Sequence, residues 1–374
     1  MQNDNIKSKI LIILIALALT LVTFLFFQPK TVLETEKKDF EKLPLATDKN
    51  EIEIILVGDI MLSRQVGSEM VKANDWTLPF KTLAGFLKKA DITFGNLEAP
   101  FLDSGARVTE GLSFKTEPQA IAGLVVAGFD IVSTANNHAF DRGATGIEFT
   151  NKWLAENGIK SVGTGTTANE TFFAETIAVG DTKIAFLAYT YFKKTPYVAS
   201  LDIEQLQSEI QKLESKTDLI IVSMHAGEEY THLPTDQQIN FAHVAIDAGA
   251  DIVVGHHPHW IQPIEVYSPT NQLSPSEERD PQAAARERDV AGNQENFRKG
   301  LIFYSLGNFV FDQEWSQKTK EGMMVKLLIS NNQLLKADII PIVIENYCCA
   351  RFADEVESKK ILNNINASST ILFK

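Results

Sequence analysis

Short runs of β-branched and aliphatic residues recur along the chain. Each stops at a glycine or a polar cluster, and segments of helical period separate them. Residues 51–57 pass from alternation into a continuous apolar run that ends at Gly58-Asp59-Ile60-Met61. The same order returns at 91–94, before Gly95-Asn96-Leu97-Glu98, and at 130–134, before Ala135-Asn136-Asn137-His138 with Asp141 beyond. It returns again at 218–222, before Ser223-Met224-His225 with Glu229 and Tyr230 following, and at 250–254, before Gly255-His256-His257-Pro258-His259. Helix-period patterning covers 83–89, 118–128, 145–158 and 235–249, and several of these segments close on glycine, the usual residue past a helix C-terminus. Strands alternating with helices predict βαβ units in an α/β fold with a largely parallel sheet. Ligands in such sheets bind beyond the carboxyl ends of the strands, which is where all five polar clusters fall.

Further along, 183–191 and 300–304 read as strands, and the second runs into Ser305-Leu306-Gly307-Asn308-Phe309 and then Phe311-Asp312. Residues 323–329 and 334–343 read as a hairpin turning over Asn331-Asn332. Between 268 and 299 the chain is too polar to bury a core, which predicts a long, flexible surface insertion. Residues 346–374 show only weak patterning and read as a tail that follows a domain spanning 51–345.

The N-terminal stretch differs in kind. Residues 10–27 form an uninterrupted apolar run, about the length that crosses a bilayer, with Lys7 and Lys9 before it and Lys30 after it. No small-residue cleavage signature follows, so the run predicts a single uncleaved transmembrane helix. Residues 1–9 would lie in the cytoplasm, 28–50 would form a charged linker, and the domain would lie outside the cell. Cys348 and Cys349 are adjacent and cannot staple distant parts of a fold. A chain exported without disulfides is then expected to rely on its core or on bound metal.

Composition narrows the partners. The 374 residues carry a formal charge of −13, which argues against nucleic acid and anionic lipid surfaces. An anionic ligand is not excluded, because a bound cation inverts the local field. The chain has seven histidines, and 256, 257 and 259 fall within one turn. Each polar residue also has a plain structural use. Asp59 could cap a helix, Glu98 could sit in a surface turn, Asn136 and Asn137 could close an Asx turn, and His225 and His243 could be hydrogen-bonded core histidines. Taken together, Asp59, Glu98, Asn137, His225, His257 and His259 suit a divalent ion such as Mn, Zn, Fe or Mg, with one carboxylate able to bridge two ions. His257 and His259, alternating around Pro258 on an extended turn, are expected to face the same side, with His256 facing away. His138 and Asp141, three apart, form a candidate acid/base pair. Arg64, Lys115, Asn96, Glu229, Tyr230 and Asn308 are the candidate substrate contacts.

The clusters at Gly58-Asp59, Asn96-Leu97-Glu98, Ala135–His138 with Asp141 and Gly143, His225 with Gly227, Glu229 and Tyr230, His257-Pro258-His259 with Gln262, and Ser305–Phe309 with Asp312 occur in one order. In that order they resemble the CapA family, the capsule or poly-γ-glutamate synthesis proteins, over about residues 52–341. That family is similar to the calcineurin-like metallophosphoesterases, so the resemblance implies a sandwich of two mixed β-sheets flanked by helices. It implies Asp59 and His259 on one metal, Asn137, His225 and His257 on a second, Glu98 between them, and His138 protonating a leaving group. The chain departs from the phosphoesterases in having Met61 where they place a histidine and Glu98 where they place an aspartate. Two functions follow as expectations. One is a membrane-anchored protein of polymer synthesis or export, working beside a membrane synthase on poly-γ-glutamate or another anionic cell-surface polymer. The other is a metal-dependent hydrolase of a phosphoester or amide.

Overall fold

In the computed structural model of the chain, the described residues are 51–192, 194–269 and 299–372. The expected transmembrane helix at 10–27, the linker at 28–50 and nearly all of the expected flexible insertion at 268–299 lie outside them. Among the described residues, no helix is long and apolar enough to cross a membrane.

The strands are β1 (Ile52–Ile60), β2 (Ile92–Leu97), β3 (Ile131–Ser133), β4 (Lys160–Val162), β5 (Glu175–Val179), β6 (Thr182–Thr190) and β7 (Leu219–His225). They continue with β8 (Ile252–His256), β9 (Ile264–Tyr267), β10 (Gly300–Phe303), β11 (Asn308–Val310), β12 (Glu321–Ser330), β13 (Gln333–Glu345) and β14 (Cys349–Phe352). They form two mixed sheets, as the family resemblance implies, rather than the single largely parallel sheet that the alternation of elements alone predicts. The first runs β14-β13-β12-β1-β2-β3-β4, with β11 also paired to β1, and the second runs β5-β6-β7-β8-β10-β9. The expected parallel pairing holds in the middle of each sheet, at β1-β2-β3-β4 and β6-β7-β8-β10. Hairpins add the antiparallel strands. Asn331 and Asn332 both take φ near +50 to +60°, as the tight β12–β13 turn requires.

Side-chain alternation sets the layers. In β1, Ile52, Ile54 and Leu56 face the second sheet, while Ile55 and Val57 face helices on the outside. In β6, Ile184, Phe186 and Ala188 face inward, and Ala185, Leu187 and Tyr189 pack under the helices Ile203–Glu214 and Asp236–Asp247. Both faces of each central strand are therefore apolar, which explains why these strands read as unbroken hydrophobic runs. Phe94 and Phe186 stack across the inter-sheet core with centroids 5.4 Å apart.

Two elements correct the sequence reading. The stretch read from the sequence only as a weakly patterned tail contains, over residues 349–372, β14 and the helix Glu355–Leu372. Ile361 and Ile365 of that helix enter the inter-sheet core, but they make too narrow a stripe to register as helical period. Cys348 and Cys349 form a disulfide with each other, where a chain without disulfides was expected. The bond joins neighbours and staples nothing distant.

The segment 304–308 joins the two sheets at their carboxyl ends. Leu306 donates its N–H to the Gly255 carbonyl at the end of β8, and Gly307 accepts from Asp59 at the end of β1. This approach requires glycine on both sides. A Cβ at Gly255 would lie 1.9 Å from the Tyr304 oxygen, and one at Gly58 would lie 2.0 Å from the Gly307 oxygen. Gly255→Ala should therefore cost about 2–3 kcal/mol or more in urea unfolding, because backbone rather than a pliable side chain must move. Gly85→Ala, where a Cβ meets nothing within 4 Å in a helix, should be neutral or stabilising by up to about 1 kcal/mol. Equal unfolding midpoints for the two variants would contradict this reading of the junction.

A candidate metal centre between two sheet edges

The register of the parallel strands assembles the site from both sheets. In the first sheet, Asp59 is level with Asn96 on one side and Asn308 on the other, and Asn96 is level with Ser133. In the second, His225 is level with His256. The five polar clusters thus end on two neighbouring edges rather than one, and the 304–308 crossing brings the edges together.

Glu98, His225 and His257 converge in one group of potential ligand atoms within 4.8 Å of one another, and Asp59, Glu98 and His259 converge in a second. Glu98 belongs to both. A third group joins the exposed Glu229 to His257 and His259. Asn137 Oδ1 lies 2.9 Å from His225 Nε2, so a cation on that imidazole would be within reach of the amide oxygen. His257 and His259 come together for a different reason from the one expected. Both have positive φ, 95° and 58°, so a left-handed turn over Pro258 aims their rings, not extended alternation. Non-glycine residues hold such conformations only when their surroundings impose them, and they concentrate at functional sites. His256 is fully buried behind them, with Nδ1 3.3 Å from Asp59 Oδ1, and belongs to none of the three groups.

The supports of these side chains are explicit. Asn136 donates to the Leu97 carbonyl and to Asn96 Oδ1, and Asn96 donates to Asp59 Oδ1 at 2.8 Å. Asp59 also accepts the His257 backbone N–H. Asn308 Oδ1 sits 2.9 Å from His259 Nδ1, which places the proton there and leaves Nε2 facing Glu98, 3.9 Å from Oε1. Asn96 and Asn308 were expected at the substrate. Both are fully buried, Asn96 donating to Asp59 and Asn308 Oδ1 facing His259 Nδ1.

The electrostatics of the cluster follow from its burial and its neighbouring charges. Burial, then the negative charges of Asp59 and Glu229, push the Glu98 carboxyl well above its ordinary range. Both of its oxygens are buried without a hydrogen-bond partner among the described residues. Burial alone would raise Asp59 as well, but its contacts with the imidazoles of His256 and His259 hold it well below the carboxylate range. Burial, with the neighbouring imidazoles, pushes His225 well down and His257 down to about 3, so both stay neutral and able to ligate. A carboxylate without donors, facing neutral imidazoles and a second carboxylate, fits a divalent cation, and the mixed N/O donor set suits Zn, Mn or Fe.

At the rim, His138 Nδ1 is 2.8 Å from Asp141 Oδ2, which also accepts the Phe114 N–H. Phe114 stacks on the imidazole at 3.8 Å, which, with Asp141 at Nδ1, holds the ring in place. Arg64 is paired with Asp312 and donates to the Gly111 carbonyl. Lys115 turns to the Ser104 and Gly105 carbonyls and to Glu117, with only 4% of the residue exposed. The two expected anion-binding cations are thus engaged by the protein itself. Met61 is buried, its sulfur accepting the Ser63 N–H. His243 pairs with Glu265, consistent with its structural reading. Sequence reasoning gave Asn136 only a turn role and passed over Phe192 and Gln313. Asn136 stood in a cluster already noted, whereas Phe192, which packs on His257 at 4.1 Å, and Gln313, which bonds Tyr230, lay outside every cluster.

The family model of the bacterial capsule synthesis protein PGA_cap matches residues 53–313. The chain is 29% identical to a capsule biosynthesis protein CapA of Bacillus anthracis, covering 88% of this chain and 76% of that one. It is 28% identical to a PGA biosynthesis protein CapA of Bacillus subtilis, over 85% and 78%. A probable polyglutamine synthesis accessory protein of Mycobacterium tuberculosis is 25% identical over 56% of this chain and 61% of its own.

The depressed His257 gives a pH prediction for metal-free protein. Between about pH 6.5, its ordinary value, and about 3, the unfolded chain binds a proton that the folded chain refuses. Stability should therefore be fully present above about pH 6.5 and fall as pH drops toward 3. His257→Asn should flatten that part of the stability–pH curve measured by urea unfolding in chelator, and an unchanged slope would contradict a neutral buried imidazole.

Proposed function

Because the chain belongs to the family of bacterial capsule synthesis proteins, we propose that it acts in the biosynthesis or export of a capsule polymer of the poly-γ-glutamate type, through a divalent-metal site of calcineurin-like phosphoesterase type. The observation that carries this reading is Glu98, buried with both oxygens unpartnered where the two ligand groups meet. In this reading Asp59 and His259 would hold one cation, Asn137, His225 and His257 would hold a second, and Glu98 would serve both. Residues 10–27 anchor the chain with the domain outside the cell, beside a membrane synthase. A cation bound there would supply Lewis-acid polarisation of a carbonyl, carboxylate or phosphoryl oxygen.

A second reading, that the chain hydrolyses a phosphoester or amide, is favoured by the rim. Asp141 accepts a hydrogen bond from His138 Nδ1, which leaves Nε2 to give or take a proton at a leaving group. Phe114 and Asp141 hold that ring in place, so little reorganisation would accompany the transfer.

The two readings separate in one set of measurements. Purified protein should carry roughly one to two divalent ions per chain, and Glu98→Gln should lower that content. In a capsule-forming host lacking its own family member, the chain should restore surface polymer, and the Glu98→Gln form should not. Restoration by the Glu98→Gln form would overturn the role of the metal site. If the chain is also a hydrolase, His138→Ala should reduce turnover of a phosphoester or γ-glutamyl panel by roughly a hundredfold, with metal content unchanged. Equal turnover would remove His138 from the chemistry.

A further inference from the structure

A cleft of about 320 Å³ opens between the helix Glu355–Leu372 and the loops that carry the candidate metal centre, a volume that small-molecule sites share. Leu233, Ile261 and Ile361 give it an apolar lining, and His232, Lys318 and Asn364 give it polar walls. Two short loops join it to the metal centre. His259 lies two residues before Ile261, and Tyr230, 6.0 Å from the His259 ring, lies two before His232. Trp260 stands between the loops, 6.4 Å from Tyr230 and 4.6 Å from His232.

The walls are held in place. Gln262 Nε2 donates to the Thr231 and Leu233 carbonyls, and Tyr230 donates its N–H to the Pro258 carbonyl at 2.8 Å. On the other side, Thr319 of the short helix Gln317–Lys320 accepts from Asn308 Nδ2 and donates its hydroxyl to the Gln313 carbonyl. Little ordering would therefore accompany occupation of the cleft.

Charge and lining decide what the cleft takes. Lys318 Nζ is 3.7 Å from one oxygen of the buried Glu321, and Lys360 Nζ is 3.2 Å from the other. Two ammonium groups thus share one carboxylate, which leaves a positive charge unmatched. Lys320 adds to that field from the same short helix, and its charge also reaches Glu357, which Arg351 pairs. Glu228 and Glu229 are exposed beside Tyr230, and neither lines the cleft. A fitting occupant has a carboxylate for Lys318, methylenes for Leu233 and Ile261, and an amide for His232 and Asn364. A fatty acid would leave the polar walls unpaired, and a compact inorganic anion would leave the apolar lining unfilled. Between cleft and metal centre, the exposed Trp315 lies three residues before Lys318 and 4.7 Å from Tyr230, an aromatic pair on which amide planes can stack.

We propose that this cleft seats one γ-glutamyl residue of an anionic polyamide, its carboxylate on Lys318, while the chain continues over Trp315 and Tyr230 toward the metal centre. The identity of the polymer rests on the function proposed above; the preference for a carboxylate-bearing amide chain does not. The test is calorimetric titration of the full chain, in chelator, with γ-linked hexaglutamate and separately with the same oligomer carrying carboxamides in place of carboxylates. Saturable hexaglutamate binding is expected, weakened about tenfold or more by Lys318→Ala and largely kept by Lys318→Arg. Ala367→Trp, which fills the cleft from an exposed position of its helix, should abolish binding, and Lys336→Ala, outside the cleft, should leave it unchanged. Absence of hexaglutamate binding overturns the proposal, and so does equal binding of the carboxamide form. Binding that Lys318→Ala and Ala367→Trp leave intact also overturns it, as a polymer held elsewhere on the surface would give. Chelator keeps metal out of the measurement, so failed capsule restoration in the host would count against the proposed function and leave this subsite standing. Restoration without hexaglutamate binding would remove the subsite alone.

Discussion

A buried carboxylate must be paired, protonated or bound to a cation, because leaving it charged and alone in a poorly polarisable interior costs several kcal/mol or more. Glu98 meets that constraint where the two sheets come together. Neither oxygen finds a donor among the described residues, yet three imidazoles and Asp59 surround it. The neighbouring groups are arranged around the same need. Asn308 fixes the protonated nitrogen of His259 away from Glu98, and Asn96 fixes Asp59 from the strand alongside. Burial keeps His225 and His257 neutral, the form in which an imidazole ligates. In the protein without metal, Glu98 resolves the conflict by holding its proton more tightly.

The fold's contribution is to make two sheets deliver side chains to one place. Each sheet alone supplies an incomplete set, with Asp59, Glu98 and Asn137 from the first and His225, His257 and His259 from the second. The crossing at 304–308 binds the end of β1 to the end of β8 through backbone hydrogen bonds, and it does so only because Gly58 and Gly255 present no Cβ. The same crossing leads into Asn308, Asp312, Gln313 and Trp315. The segment that closes the sandwich therefore also orients His259, pairs Arg64 and supports Tyr230.

Much of this was legible in the sequence, and the limits have physical causes. Each strand end announced itself because an apolar run buried on both faces must stop where polar groups begin. That signal is the same for either sheet, so it could not tell one edge from two neighbouring ones. Whether Lys115 faced a ligand or the Gly105 carbonyl depended on a loop ten residues away, which no spacing encodes. Asn96 and Asn308 looked like substrate contacts because asparagine at a strand end is chemically able to be one. Only burial shows that both are turned inward to other side chains. The helix at 355–372 escaped notice because two isoleucines carry most of its attachment to the core.

The most direct measurement is anomalous X-ray diffraction from crystals grown with manganese or zinc. Anomalous density is expected at coordination distance from Glu98, about 2.0–2.3 Å, and shared with His225 and His257 on one side or with Asp59 and His259 on the other. Crystals soaked in either metal that show no anomalous density there, with Glu98 instead hydrogen-bonded as a neutral acid, would contradict a metal centre at the join of the two sheets.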